Sequence, residues 1–199
     1  MNTIAPAAKP QRAVPAHLVY EVMDGKPIYY RDYKKIIRGT IKKDDIMGYG
    51  LLQWVIINLI TKYFNQNLSA NYLVLGGEGG IHLAKNDNLS LDLAVFNSAS
   101  INLAQLKNQY VGVAPQLVIE VDTKAQAEFA ADANYYTKKT QKLLDFGVNE
   151  VIWIFTETKK IWLAKPNAPW LIINWKDDFT AMELPLNLQA LLDENGIEC

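Results

Sequence analysis

The chain has 199 residues, half of them hydrophobic, with a formal net charge of -1. That length supports one well-buried core and leaves room for no more than a small second domain, and the composition excludes a disordered or fibrous chain. The near-neutral balance argues against a domain that clamps nucleic acid through standing positive charge, although an enzyme that brings its own cation stays open.

The lone cysteine, Cys199, excludes an intrachain disulfide, and the widely separated His17 and His82 fit no zinc spacing. No apolar signal segment opens the chain. The run Leu51 to Ile60, interrupted by Gln53 and Asn58, is too short to cross a bilayer. A reducing, cytoplasmic setting with no membrane partner is the expectation.

Residues 1–15, rich in Ala and Pro and without periodicity, read as a flexible leader, and 16–199 as a single domain. Asp24-Gly25 between two short β-prone runs signals a hairpin. A polar stretch from Tyr33 to Lys43 has room for a short helix. Ile46, Leu51, Leu52, Val55, Ile56, Leu59, Ile60, Tyr63 and Phe64 then repeat at helical spacing, with Asp44 or Asp45 as candidate cap. Tyr72 to Leu75 reads as a strand, Gly76 to Gly80 as a tight turn, and Leu89 to Phe96 as a strand after an Asp87-Asn88 turn. Gln116 to Val121 is a compact apolar strand. A helix follows from about Ala125 to Phe146 and stops at Gly147. Val151–Phe155, Ile161–Ala164 and Leu171–Trp175 are further strands, and Leu186 to Leu192 has helical spacing. This order predicts an α/β sandwich, a mixed sheet flanked by helices. The step from 116 to 155 is long enough for a crossover between parallel strands.

Two strands each carry an acid within an apolar run: Asp92 in Leu91–Phe96 and Glu120 in Leu117–Val121. A carboxylate inside a buried strand is costly unless it is paired or holds a metal. Two on neighbouring strands can share a hard cation such as Mg2+ or Mn2+, which activates water and stabilises charge on a phosphate. The alternative is that each caps a strand end or pairs with a surface lysine. Asp122 is either a third ligand or an exposed turn residue before Thr123. On the following helix, Lys139 lies about 90° from the apolar seam and can reach inward, whereas Lys138 and Lys142 point to solvent. Such an ammonium would stabilise developing negative charge, and Lys124 is the rival candidate. The GGEGG run lacks the Gly-Lys-Ser/Thr of a phosphate loop, and Glu78 within it is a minor candidate acid. The tryptophans Trp54, Trp153, Trp162 and Trp170 stand mostly in apolar runs and read as core.

Four stretches, YEVMDGKPIYY, LSLDLAVF, APQLVIEVDTKA and KKTQKLLDFGVNEVIWIF, in this order and spacing, resemble the Uma-two family of restriction-endonuclease-like proteins over roughly residues 17–165. The resemblance implies a PD-(D/E)XK nuclease fold, a restriction-endonuclease-like mixed central sheet flanked by helices. It carries catalytic roles onto Asp92, Glu120 and Lys139; the expected metal ligands are Asp92 and Glu120, with Asp122, by its place two residues after Glu120, as the candidate third ligand. Leu91 replaces the proline before Asp92, Asp122 stands at the usual lysine position, and Leu143 replaces a tyrosine one turn after Lys139. These departures touch activity more than fold. The implied function is Mg2+-dependent DNA cleavage, with homodimerisation for a double-strand cut. The competing expectation is a non-catalytic binding or assembly domain.

Overall fold

The computed structural model describes residues 14–45, 48–121 and 135–198. Residues 1–13 of the leader, Asp122, Lys124 and the start of the long helix lie outside the described residues.

The first hairpin forms as its sequence predicts. Asp24 and Gly25 both take left-handed backbone angles (φ 52° and 71°), the tight turn that matches strand twist, between β1 (Val19–Met23) and β2 (Lys26–Tyr29). A short helix, α1, covers Tyr33–Ile37. The next helix begins later than its candidate caps suggest. Asp44 and Asp45 lie in a separate 3-10 turn (Lys43–Asp45), and α2 (Leu51–Asn67) starts after Gly50. Gly48, at φ 89°, turns the chain between them in a conformation no helix can carry.

A larger correction concerns the glycine run. It is no turn but the middle of one long strand, β3 (Tyr72–Ala84), paired antiparallel with β4 (Asp87–Asn97) across a turn at Asn86. The register moves from Gly76↔Leu93 to Gly79↔Leu91, so three steps on β3 match two on β4. That is a β-bulge, and glycine within a strand is its usual mark. Gly77, at φ 125°, supplies the backbone angle the bulge needs.

β5 (Leu117–Val121) and β6 (Glu150–Phe155) run parallel, as the crossover spacing anticipates. The described part of the connecting helix, α3 (Tyr135–Phe146), ends at Gly147 (φ 113°), with Val148 N–H donating to the Leu143 carbonyl. β7 (Lys160–Ala164) and β8 (Leu171–Asn174) extend the sheet antiparallel. A small separate hairpin, β9 (Phe179–Ala181) and β10 (Leu184–Leu186), was not anticipated. Its turn residues, Met182 and Glu183, both have positive φ without being glycine or asparagine. The last helix, α4 (Leu188–Glu194), is capped by Asn187, which accepts from Ala190 N–H.

The eight-stranded mixed sheet runs β2-β1-β4-β5-β6-β7-β8, with β3 also paired to β4. Alternating residues feed two cores. One holds Leu93, Val95, Ile119 and Ile152 against Ile56, Ile60 and Phe64 of α2, with α4 and the small hairpin. The other holds Ala94, Val118, Val151 and Trp153 against Tyr135, Leu143 and Leu144 of α3. The α/β architecture, a mixed sheet flanked by helices, is therefore the one the element order predicts. No helix among the described residues is long and apolar enough to cross a membrane. Of the tryptophans read as core, Trp153 is fully buried, but Trp54 is 61% exposed because it faces away from the α2 stripe.

Phe64 and Trp54 share one helix but only Phe64 is buried. Phe64→Ala should destabilise the protein by about 3–5 kcal/mol, while Trp54→Ala should stay within about 0.5 kcal/mol. Urea unfolding of both variants checks this, and comparable losses would contradict the assigned faces.

Candidate functional site

The bulged β3 occupies one edge of β4 along its length. The other edge is shared. β5 pairs at Leu93 to Val95, and β1 touches at Asn88. Between these points β4 has no strand partner on that edge among the described residues, and its polar backbone meets side chains instead. Ser90 N–H donates to Glu21 Oε1 (2.9 Å), and the Ser90 carbonyl accepts from Lys139 Nζ (2.7 Å). Further along, Asp92 Oδ2 accepts from Val121 N–H (2.9 Å). The fork between β1 and β5 is thus closed by side chains from three strands and one helix.

Lys139 is completely buried, and burial of an ammonium is tolerated only with full compensation. It has that compensation. Its three N–H groups reach Glu21 Oε1 (2.8 Å), Ser90 O (2.7 Å) and Glu120 Oε2 (3.1 Å). The rings of Trp153 and Tyr135 stand 5.5 and 5.8 Å from it, within cation–π range. Burial works to lower its pKa, but the carboxylates of Glu120 and Glu21 overcome this and hold it above the usual lysine value. It is charged at any physiological pH.

Glu21 is held on both oxygens. Oε1 takes Ser90 N–H and Lys139, and Oε2 takes the Tyr135 hydroxyl (2.7 Å). Glu120 is different. Its Oε2 meets Lys139, while Oε1 is buried without a hydrogen-bond partner among the described residues. Burial pushes its pKa well above the usual carboxylate range. Lys139 opposes the shift, and the charges of Asp92 and Glu21 add to it. Asp92 and Glu120 each lie one residue beyond Leu93↔Ile119, the last pair between β4 and β5, and are close enough for their charges to oppose each other. Gln53 of α2 braces this end. Its amide donates to Val121 O (2.6 Å) and, more weakly, to Asp92 Oδ2 (3.4 Å). The Tyr49 phenol sits nearby. Burial, then the charges of Asp92 and Glu78, raise its pKa.

The structure therefore brings Asp92, Glu120 and Lys139 to one place, with Glu78 on the bulge alongside. Asp122 and Lys124 fall outside the described residues. Lys142 does not simply face solvent: it is only 19% exposed and pairs with Asp87 (2.6 Å) and Asp24, because the β1–β2 turn reaches across to α3. Lys138 pairs with Asp24 from a more exposed position. Sequence reasoning missed Glu21, although Val19-Tyr20-Glu21-Val22-Met23 carries the same signal as the other two strands, an acid inside a β-prone run. It also missed Gln53, whose interruption of an apolar helix was the available mark.

Two buried carboxylates, Glu21 and Glu120, contact the one buried ammonium, Lys139, and Asp92 is buried beside Glu120, a surplus of two negative charges when all are ionised. Among the described residues no group of three or more His, Cys, Asp or Glu side chains is arranged to hold a metal. A Mg2+-like ion needs only one or two protein carboxylates, completed by water and phosphate oxygens. The neighbouring Asp92 and Glu120, the unpartnered Oε1 and the charge surplus fit that mode of binding.

No family model matches the chain, and no curated protein matches it. Among solved structures it is similar to a protein from Anabaena variabilis ATCC 29413 described as a "putative nuclease belonging to DUF820". The TM-score is 0.60 over 89% of this chain and 92% of the other, at 15% sequence identity. At that identity the likeness is one of fold, and the chain has a nuclease-like fold.

Lys139→Met should leave Glu21 and Glu120 buried without a cation and destabilise the protein by about 3–5 kcal/mol at pH 8. Glu120 is already raised by burial, and losing the ammonium raises it further. A carboxyl whose folded pKa exceeds its unfolded value of 4.5 favours the native state below that value and loses this as pH rises through the folded pKa. The deficit should therefore shrink as pH falls toward 5, and urea titrations at the two pH values measure it. An equal deficit at both would refute this electrostatic account.

Proposed function

We propose that the chain is a divalent-cation-dependent endonuclease of the Uma-two, PD-(D/E)XK type, hydrolysing DNA phosphodiester bonds. The observation that carries this reading is the gathering of Asp92, Glu120 and Lys139 in one buried, acid-rich cluster of a nuclease-like fold. Hydrolysis adds one water across a P–O ester bond: the hydroxyl goes to phosphorus and the proton ends on the leaving oxygen. Asp92 and Glu120 would hold Mg2+ or Mn2+, which when bound supplies charge neutralisation at the phosphate and a more acidic water.

The chain's own residues prepare that pocket. Val121 N–H and Gln53 fix the Asp92 carboxylate, so its orientation is set before any ligand arrives. Lys139 holds Glu120 by one oxygen and leaves the other presented. Glu21, locked by Tyr135 and Ser90, keeps Lys139 in place and is a positioning residue. The contact to Glu120 is the longest of the three that Lys139 makes, and is the one it would exchange to reach a phosphate oxygen. A double-strand cut would call for two copies of the chain.

One observation favours a second reading, a nuclease fold retained for binding or assembly: all three Lys139 N–H groups already have protein acceptors. Calorimetric titration with Mn2+ separates the two. The nuclease reading expects Glu120-dependent binding that tightens as pH rises, since the raised Glu120 carboxyl must lose its proton to coordinate. On supercoiled plasmid with Mg2+ or Mn2+, wild type should nick and Asp92→Ala should lose at least about 100-fold, the scale on which loss of transition-state charge stabilisation acts. Equal nicking by both proteins would end the nuclease reading.

A further inference from the structure

Beside the buried network lies an open cleft of about 400 Å³ that the chemistry above does not use. Glu21 and Ser90 form its floor, so it abuts Lys139 directly. Tyr20, Tyr30 and Tyr110 form its walls, with Glu78 at the lip. Tyr20 and Tyr30 meet edge to face at 5.2 Å, each bracing the other. Tyr110 comes from the segment before β5, which is tied to β3 by Val111 N–H to Gly80 O (3.0 Å) and His82 N–H to Val111 O (2.8 Å). Its ring lies on Gly80 so closely that a Cβ there would stand 2.4 Å from it. Even so, Tyr110 remains 57% exposed. A large aromatic held rigidly by its backbone yet open to solvent is a platform for a flat ligand.

The charge of the cleft narrows the ligand class. Among the described residues lining it none is Lys or Arg, and Glu78 adds negative charge. A phosphate would be repelled here. A nucleobase would not: it stacks on tyrosine through its π-face, and amino groups on the base can donate to a carboxylate. A second hollow of similar size shares Glu78 and Gly80 and continues past Leu91 and Ala94 of β4, the strand of Asp92. The two hollows meet at Glu78 and Gly80, so the tyrosines and the strand that carries Asp92 border neighbouring surface.

We propose that this cleft takes an unstacked base of single-stranded nucleic acid and so presents the adjoining phosphodiester to Asp92 and Glu120. Presentation of the phosphodiester for cleavage rests on the nuclease reading, whereas base binding itself needs no cleavage. A strand that contributes its bases also suits a chain with net charge -1, which offers little electrostatic grip on duplex phosphates.

The test is fluorescence anisotropy of short labelled oligonucleotides, without divalent metal, so that binding is read apart from cutting. Wild type should bind single strands more tightly than the blunt duplex of the same sequence. Tyr110→Ala should weaken single-strand binding about 5- to 100-fold, the loss expected for one base–aromatic stack, while Tyr110→Phe should stay within about twofold. Gly80→Ala, whose methyl collides with the ring, should weaken binding in the same direction. DNA and RNA strands of one sequence distinguish the source of the base. Wild type that binds no single strand, that prefers duplex, or that is matched by Tyr110→Ala would overturn the proposal. The nuclease reading would then still stand or fall separately, on nicking that depends on Asp92.

Discussion

The buried ammonium of Lys139 is the constraint around which this molecule is arranged. An ammonium with no solvent exposure is sustained only if every N–H has an acceptor and the net charge is balanced nearby. Here the acceptors come from β1 (Glu21), β4 (Ser90) and β5 (Glu120), three strands met at once by a single side chain of α3. Displacing α3 along the sheet would strip Lys139 of all three, so the crossover helix has one permitted seat. The aromatic pair Tyr135 and Trp153 closes the remaining side. The Trp153 indole N–H is itself satisfied by Thr140 (2.7 Å), which ties the helix to β6 one turn further on.

This arrangement needs a sheet with a local defect. Had β1 and β5 both paired fully along β4, Ser90 would have no free backbone groups to offer and no space would remain for carboxylates between strands. The fork supplies the space. On the opposite edge of β4 the glycine bulge of β3 falls between the Leu91 and Leu93 pairings, at the level of Asp92. A bulge bends and twists its strand locally. The two irregularities, one on each edge of the same few residues, open the sheet where the acids stand. Regular pairing elsewhere keeps it closed, and the described hollows beside the site both border the bulge.

Those facts explain what the sequence could and could not disclose. Asp92 and Glu120 were legible because an acid in an apolar strand contradicts its surroundings, and helical phase put Lys139 within inward reach. Phase alone placed it at the edge of the seam, however. The described face of α3 centres on Tyr135, Lys139 and Leu143, a stripe that looks interrupted until the lysine is counted as interior. Glu21 carried the same contradiction as the other acids but stood beside a strong hairpin signal, Asp24-Gly25, that accounted for its segment. The bulge was misread because five residues rich in glycine look like a turn when the pairing partner is unknown. Only the register of β4 shows that the strand continues through them. Gln53 and Tyr135 act through contacts distant in sequence; the break in an apolar helix marks Gln53 as unusual, but no local pattern names the partner of either.

The state of the ion network also bears on how the pocket can work. Every N–H of Lys139 and both oxygens of Glu21 are engaged, so neither group is idle in the resting protein. Among the described residues one oxygen of Glu120 is not engaged, and ionising Glu120 beside Glu21 and Asp92 would leave negative charge that Lys139 alone does not balance. Lys139 then acts first as a charge on Glu120. It opposes the upward shift that burial imposes on that carboxyl. A lysine displaced from strand to helix can serve this purpose without touching substrate, because the interaction depends on distance through a low-dielectric interior. The buried positive charge beside Glu120 comes from α3, a helix that follows the strand, and not from the strand itself.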